Sequence, residues 1–214
     1  MTEMRFQVAK AGFPLIVLSA LASVLFGMIG STWLMITSVA GTAFIIFFFR
    51  DPRRIVPDGP GFVVAPADGR VISLETVNET PLFSGTYRKI SIFMSVFNVH
   101  VNRIPCNGKV AGIRYSPGKF FPASKNNASD QNENNALSIE TPNQKKVCVV
   151  QVAGLIARRI ICYVKKEEKV LRGKRFGIIC FGSRVDTYLP EDSEILVKKG
   201  DRVHAGVSII GHIK

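Results

Sequence analysis

An uninterrupted stretch of 37 residues without a charged side chain, residues 13–49, constrains this chain more than any other feature. It consists of two apolar runs of 17 residues, 13–29 and 33–49, joined by Gly30-Ser31-Thr32. A helix needs roughly 17–25 apolar residues to cross a bilayer, and a soluble core seldom hides so long an uncharged segment. The pattern therefore predicts an α-helical membrane hairpin with a tight turn at its centre.

Basic residues flank this hairpin on both sides. Arg5 and Lys10 precede it, and Arg50, Arg53 and Arg54 follow it, whereas the link carries no charge. Because positive residues remain on the cytoplasmic side, both ends are predicted there, at the inner (cytoplasmic) membrane of the cell. A cleaved signal peptide is a poor fit, since the apolar segment is doubled and no small-residue cleavage site follows it. The sequence leaves open whether the hairpin spans the bilayer or dips into one leaflet.

The remainder of the chain is strongly basic. The net charge of +12 lies wholly outside residues 13–49, and a surface of this kind suits an anionic partner, either nucleic acid or an acidic membrane face. The apolar hairpin favours the membrane, and the chain has no aromatic-rich RNA-binding motif or identifiable recognition helix.

The cysteines show neither metal-ligand spacing nor a disulfide framework, which predicts reduced core thiols and no metal site; they are Cys106, Cys148, Cys162 and Cys180.

We expect two domains, an anchoring part at residues 1–54 and a mainly β catalytic part at residues 55–214. Short β-branched runs separated by Gly and Pro are typical of a compact β-barrel or sandwich. Two segments, Val164–Gly173 and Val197–Gly206, share the frame V-K-K-x-[ED]-[KR]-V-x-x-G. They predict related hairpins that pack as a pseudo-symmetric pair, as in lipoyl-like carrier folds. Neither segment presents a lysine in a carrier motif, so this likeness concerns the fold alone.

A glycine–serine pair, Gly182-Ser183, directly follows an apolar strand. Glycine offers an unhindered carbonyl, and the serine oxygen can attack it in an N→O acyl shift if the oxyanion is stabilised. Taken alone the pair is weak support, because such dipeptides usually form turns at strand ends. Gly30-Ser31, in the hairpin link, is a pair of that structural kind.

Two further side chains could activate this hydroxyl. Asp68 lies in a tight turn, and His100 lies in the alternating run Ser91–Arg103, where it is expected to share a strand face with Asn98 and Asn102. In an Asp–His–Ser set the imidazole takes the hydroxyl proton and the carboxylate orients the ring. Singly, the aspartate is more typical of a turn and the histidine of a solvated strand face.

Five motifs, taken together and in this order, resemble the short form of the phosphatidylserine decarboxylase family, the type A form of bacteria and archaea. The resemblance covers nearly all of residues 49–214. The motifs are Phe49–Arg53, Pro66–Gly69, Phe97–Arg103, Ala157–Arg159 and Phe181–Asp186.

The resemblance implies a proenzyme that cleaves itself between Gly182 and Ser183, giving a large chain of residues 1–182 and a small chain of residues 183–214. Ser183 would become a covalent pyruvoyl group, so that no external cofactor is needed. Phosphatidylserine in the membrane would be decarboxylated to phosphatidylethanolamine through a Schiff base with this group. The implied catalytic residues are Ser183, His100 and Asp68.

Longer members of the family carry two histidines three residues apart, whereas this chain has His100 and Arg103 at those positions. Either one histidine serves both self-cleavage and protonation, or another group replaces the second. Arg184, Arg158 and Arg159 are candidates to hold the anionic head group.

Two other functions compete with this hypothesis. A membrane-tethered, lipoyl-like binding module without catalysis explains the repeat and the hairpin but leaves the Asp–His–Ser set as coincidence. A pyruvoyl decarboxylase of a soluble amino acid explains the set but not the hairpin. The sequence leaves the oligomeric state open, with a homodimer as one option.

Overall fold

The computed structural model describes residues 7–122, 131–155, 159–180 and 182–214. The chain divides into two compact units, residues 1–53 and residues 54–214. The first is helical and the second is built from β-strands. The chain is therefore mainly β with a helical N-terminal part, as predicted.

The N-terminal unit is a pair of packed helices, α1 (Phe13–Met28) and α2 (Thr32–Phe48), preceded by a 3-10 turn at Lys10–Gly12. The segments that enter and leave the pair are bonded to each other, since Ala9 N–H donates to the carbonyl of Phe49 at 2.8 Å. Both ends of the hairpin therefore emerge together.

The surfaces of both helices are apolar and open. Trp33 and Met28 are 83% and 82% exposed, and helices that are apolar all round require a non-aqueous neighbour. Hydroxyl groups are satisfied internally, as where Ser38 Oγ donates to Ser23 Oγ of the other helix at 2.9 Å, which is what hydrocarbon demands of polar groups. One described helix, Lys10–Met28, is long and apolar enough to cross a membrane, and α2 is shorter. These features favour membrane association.

Within the described residues the β unit contains one large antiparallel sheet and two small ones. The strands are β1 (Phe62–Val64), β2 (Gly69–Glu79), β3 (Ser84–Met94), β4 (Val101–Arg103), β5 (Gly108–Ser116), β6 (Asn134–Glu140), β7 (Lys146–Ala153), β8 (Ile160–Cys162), β9 (Lys169–Val170), β10 (Arg175–Ile179), β11 (Ser183–Pro190), β12 (Glu194–Ile195), β13 (Arg202–Val203) and β14 (Ile209–His212). The large sheet has the strand order β13-β2-β3-β11-β7-β6-β5-β9, and the small sheets have the orders β1-β14-β12 and β4-β10-β8.

The three sheets enclose a common core. Val71, Ile92 and Val185 of the large sheet pack in one cluster with Val63 and Ile179 of the small sheets. Burial of these alternating apolar side chains supplies the main stabilising free energy of such a layered fold. The predicted compact barrel or sandwich is confirmed, whereas the lipoyl-like relationship stays a prediction.

The two copies of the repeated sequence frame supply the two edge strands of the large sheet, β9 and β13. Corresponding backbone bonds recur at both edges: Glu167 N–H donates to Val110 O at 2.8 Å, and Gly200 N–H donates to Val71 O at 2.8 Å. The strands β13-β2-β3-β11 thus correspond to β9-β5-β6-β7, and the large sheet has an approximate internal twofold symmetry.

The expectation of one continuous strand over Ser91–Arg103 is wrong, because the segment is divided between β3 and β4 in different sheets. A turn separates them, in which Asn98 Oδ1 accepts the N–H and the hydroxyl of Ser95 at 2.9 and 2.8 Å. Such local side-chain bonds compete with strand pairing. Asn98 therefore does not lie on a strand face with His100 and Asn102.

Candidate active site

Ser183 is the first residue of β11, a central strand of the large sheet, and is fully buried. Its backbone lies between Met94 of β3 and Ala153 of β7. Its Oγ donates to Met94 Sδ at 3.4 Å, the one side-chain hydrogen bond of this hydroxyl within the described residues. Because a thioether is a weak acceptor, no side chain in the described part of the chain binds the hydroxyl strongly. An interior hydroxyl so weakly bonded is available as a nucleophile.

Gly182 adopts a left-handed backbone with a φ of +60°. A Cβ atom added at this position would meet nothing within 4 Å, so the glycine is favoured by the backbone conformation and not by lack of space. An L-residue held there costs about 1–2 kcal/mol. The residue before Ser183 therefore combines open space at its α-carbon with a backbone conformation that other residues resist.

His100 is fully buried, although a solvated strand face is the ordinary setting for such a histidine. Its Nδ1 lies 2.9 Å from the carbonyl oxygen of Asn98. A carbonyl can only accept, so Nδ1 carries the proton and Nε2 is the basic nitrogen. The ring is thus fixed in the tautomer that a general base requires.

Asp68 is buried and forms an ion pair with Arg54. Arg54 Nη2 lies 3.0 and 2.7 Å from the two carboxylate oxygens, and the N–H of Ala205 donates to Oδ1 at 2.7 Å. His204 Nδ1 is 3.6 Å from Oδ2. These are the side-chain contacts of Asp68 within the described residues, and the relay from Asp68 to His100 stays a prediction.

The internal symmetry distinguishes two roles of Asp68, its hydrogen bond to a backbone N–H and its ion pair with Arg54. Its counterpart is Asn107, whose Oδ1 accepts the N–H of Arg172 at 2.8 Å, as Asp68 accepts that of Ala205. An uncharged amide thus makes the same backbone bond in the other half of the sheet. The backbone bond therefore does not require a carboxylate charge, and the charge of Asp68 forms the ion pair with Arg54.

A chain of buried amides, which sequence reasoning missed, adjoins Ser183 through Met94. Asn102 Nδ2 lies 3.7 Å from Met94 Sδ, and Asn102 Oδ1 accepts from Gln151 Nε2 at 2.8 Å. Gln151 Oε1 in turn accepts from Asn135 at 3.0 Å. The sequence contained one sign of this network, because Gln151 is an amide between two valines of β7, where an apolar residue is expected. Fully bonded buried networks of this kind fix side-chain positions.

Two of the arginines considered at the sequence level serve other contacts. Arg103 is buried and donates through Nη1 to Gly173 O at 3.0 Å. Arg184 is also buried, with Nε 2.9 Å from Asp186 Oδ1, and it points to the sheet face opposite Ser183 because successive strand residues alternate. These contacts make Arg184 a poor ligand for a head group. Ala157, Arg158 and Phe181 lie outside the described residues.

All four cysteines are free thiols. Burial raises the pKa of Cys180, three residues before Ser183, and the positive charge of Arg159 opposes that shift less strongly. The thiol is therefore protonated at neutral pH and does not compete with the serine hydroxyl as a nucleophile.

Known proteins are similar to this chain over nearly its whole length. The sequence model of the family described as phosphatidylserine decarboxylase matches residues 42–211. Three similar proteins are each named "Phosphatidylserine decarboxylase proenzyme". That of Syntrophus aciditrophicus is 44% identical over 207 residues, covering 95% of this chain and 96% of its own. That of Desulfotalea psychrophila is 44% identical over 213 residues and covers 100% of both chains. That of Geobacter metallireducens is 47% identical over 209 residues, covering 95% of each.

These matches extend over the β unit and the residues before it, and they define an enzyme of the decarboxylase class. The chain belongs to the phosphatidylserine decarboxylase family. The resemblance found in the sequence is thereby confirmed, and the non-catalytic binding module is disfavoured.

Proposed function

We propose that this chain is a proenzyme that cleaves itself between Gly182 and Ser183 and then converts phosphatidylserine to phosphatidylethanolamine at a membrane. The observation that carries the proposal is the junction itself. A left-handed glycine precedes a fully buried serine whose hydroxyl donates to a thioether, its one side-chain hydrogen bond among the residues that the structure describes. Family membership over nearly the whole chain supports the same chemistry.

Self-cleavage begins when Ser183 Oγ loses its proton to His100 Nε2 and attacks the carbonyl carbon of Gly182. The Gly182–Ser183 C–N bond breaks, the amine takes up the proton, and an ester joins the two residues. Removal of the Ser183 α-proton breaks the ester C–O bond and releases the large chain with a carboxylate at Gly182. Water then adds to the dehydrated residue and ammonia leaves, which produces the pyruvoyl group.

The two products are expected to remain one folded unit. The small chain, residues 183–214, contributes β11, which is paired with β3 and β7 of the large chain. It also contributes β13 at the edge of the large sheet and β12 and β14 of a small sheet. Separation would expose strand edges and core side chains on both chains, which opposes dissociation.

The surroundings of Ser183 fit a pyruvoyl group. A carbonyl at this position supplies the electron sink that loss of CO₂ from an amino acid requires. Met94 and Ala153 flank the position and are fully buried, so water is excluded and departure of a charged carboxylate as neutral CO₂ is favoured. His100 Nε2, with Nδ1 held by Asn98, takes a proton from the substrate ammonium group as that group reacts and returns it to the substrate carbon after CO₂ has left.

Asp68 acts in this proposal as the carboxylate that positions the processing machinery. Its ion pair with Arg54 and its bond to Ala205 tie the segment before β1 and the segment after β13 to the turn before β2. The symmetric Asn107 makes the backbone bond without a charge. If Asp68 is essential for cleavage or turnover, its negative charge is what matters, because the backbone bond alone can be made by an uncharged amide.

The apolar hairpin tethers the enzyme to the inner membrane, with the β unit on the cytoplasmic side. The support is the apolar exposed helices, the joined ends of the hairpin and basic residues on both flanks. A net charge of +12 further attracts an anionic bilayer. The partner of the enzyme is then phosphatidylserine in the membrane, and not nucleic acid.

Release of CO₂ from carboxyl-labelled substrates tests the proposal. The purified protein should decarboxylate phosphatidylserine in vesicles, whereas Ser183→Ala should not. Free serine at the same concentration should be inert. Equal turnover of free serine would contradict the lipid substrate and favour the soluble amino-acid decarboxylase considered at the sequence level.

A further inference from the structure

A basic cavity of about 450 Å³ opens at the β13 edge of the large sheet. Its size falls in the range of small-molecule sites. Its walls come from β13, β2, the end of β3 and the turn that follows β3. The basic and polar side chains that line it are Arg70, Arg202, His204, Ser95 and Asn98.

Two arginines of like charge are cross-strand neighbours in this cavity. Arg70 and Arg202 are directly opposite on the antiparallel strands β2 and β13, where like charges are destabilising. Both side chains are exposed. Neither has an ion pair or a side-chain hydrogen bond within the described residues.

The other half of the sheet contains the symmetric cavity, of about 460 Å³, with Lys109 opposite Lys169. There the cations have carboxylates beside them. Glu167 forms an ion pair with Lys109, and the hydrogen bond and charge of that lysine lower the pKa of Glu167. Glu140 is directly opposite Lys109 on β6 and also lines the cavity.

The arginine cavity lacks both of these acids. The position of Glu167 is taken by Gly200, and the position of Glu140 is taken by Phe93, which is opposite Arg70 on β3. The fold thus repeats the pair of cations on both edges and omits the neutralising carboxylates on one. An anionic ligand would complete the arginine cavity as the two glutamates complete the lysine cavity.

The arginine cavity reaches the candidate active site through the turn that follows β3. Arg70 and Phe93 are directly opposite and share one sheet face, whereas Met94 and its partner Ser183 lie on the other face. Asn98 of the cavity wall accepts from His100 Nδ1 at 2.9 Å through its carbonyl. A ligand that occupies the cavity therefore lies against the turn that positions His100, at the end of β3 that pairs with Ser183.

We propose that Arg70 and Arg202 bind the phosphate of the substrate head group, an inference that rests on the proposed function. Guanidinium groups match phosphate oxygens in two-pronged geometry. The substrate carboxylate is the less suitable ligand, because an ion pair would stabilise the charge that must disappear as CO₂ leaves. Phosphate binding at the arginines holds the head group at the sheet edge, and its serine part reaches Ser183 past the turn that follows β3.

The first test compares Arg70→Gln and Arg202→Gln with Lys109→Gln and Lys169→Gln, which remove the same charge at the symmetric edge. The substrate is a short-chain phosphatidylserine kept monomeric, so that attraction to a vesicle surface plays no part. The arginine variants should cleave normally and raise KM about tenfold with little change in kcat, while the lysine variants keep the wild-type KM. An equal rise in KM for both pairs would show general charge attraction and overturn the site, as would no rise in either.

The second test supplies the missing acid with Gly200→Glu. Gly200 has a φ of +100° with open space around it, and Glu167 adopts a φ of 71° at the symmetric position. The new carboxylate should pair with the arginines and raise KM, whereas Gly200→Gln, with the same backbone demand, should raise it much less. Equal KM values for the two variants would overturn the phosphate site. A wild-type protein that does not cleave itself would instead overturn the proposed function.

Discussion

The hydroxyl of Ser183 and the thioether of Met94 lie 3.4 Å apart in the interior of the large sheet, on adjacent paired strands. The contact excludes water from the serine while giving it only a weak acceptor. A nucleophile in this state needs little reorganisation before it attacks the preceding carbonyl. Met94 is also bonded to the buried amide chain through Asn102, which fixes its position.

Replacement of Met94 tests whether weak bonding of Ser183 matters. Met94→Leu conserves volume, costs less than about 1.5 kcal/mol and leaves the hydroxyl without a competing acceptor, so self-cleavage should proceed within a few-fold of the wild-type rate. Met94→Gln offers a strong acceptor and should slow cleavage about tenfold. Time courses of chain separation on denaturing gels measure both rates. Cleavage of the glutamine variant at the wild-type rate would show that weak hydrogen bonding of the Ser183 hydroxyl is not needed for cleavage.

Gly182→Ala should slow self-cleavage, because alanine resists the left-handed conformation by about 1–2 kcal/mol and shifts the junction out of its reactive geometry. Gly30→Ala is a matched control, since Gly30 has a φ of +78° and equally open surroundings in the hairpin link. Rates of proenzyme loss should fall for the first variant alone. A wild-type rate for Gly182→Ala would show that the left-handed conformation of Gly182 does not contribute to self-cleavage.

Asp68→Asn separates charge from backbone bonding. The amide can still accept the N–H of Ala205, as Asn107 accepts that of Arg172, but it cannot neutralise Arg54. We expect a folded protein whose unfolding free energy falls by about 1–3 kcal/mol and whose cleavage or turnover is impaired. Denaturant titration and chain-separation assays measure the two effects.

The control for Asp68 is Asn107→Ala, which removes the symmetric backbone bond. It should lower stability without changing the cleavage rate of the folded protein. If Asp68→Asn behaved in the same way, with normal cleavage and turnover, the aspartate would be a structural residue only.

His100→Ala should reduce self-cleavage by about 10²–10⁴-fold, the usual contribution of a positioned general base. Added imidazole should restore part of the rate if the missing function is proton transfer. His212→Ala, which removes a histidine that contacts the ring of Phe62, serves as the control and should cleave normally. Unchanged cleavage and turnover in His100→Ala would exclude His100 from both steps.

Local sequence was sufficient for the class of fold. Charge-free runs marked both helices, and short β-branched runs marked a compact β domain, because both signals depend on neighbouring residues. The strand predicted across Ser91–Arg103 failed for an equally local reason, since Asn98 bonds back to Ser95 and closes a turn. Alternation alone did not reveal that competition.

The site depended on contacts between residues distant in sequence. Met94 and Ser183 are 89 residues apart, and no pattern around either one predicts their meeting. The repeat at Val164–Gly173 and Val197–Gly206 was visible and already aligns Gly200 with Glu167, but the pairing of Arg70 with Arg202 and the replacement of Glu140 by Phe93 depend on strand register. Register is set by the whole sheet and not by either segment.

Intact-mass analysis of the purified protein tests the central claim most directly. Self-cleavage predicts two chains that meet at Gly182 and Ser183, residues 1–182 and 183–214, with the smaller blocked at its N-terminus by a carbonyl group. Ser183→Ala should give one uncut chain of 214 residues without activity. A wild-type protein that decarboxylates phosphatidylserine while remaining a single uncut chain would contradict the account.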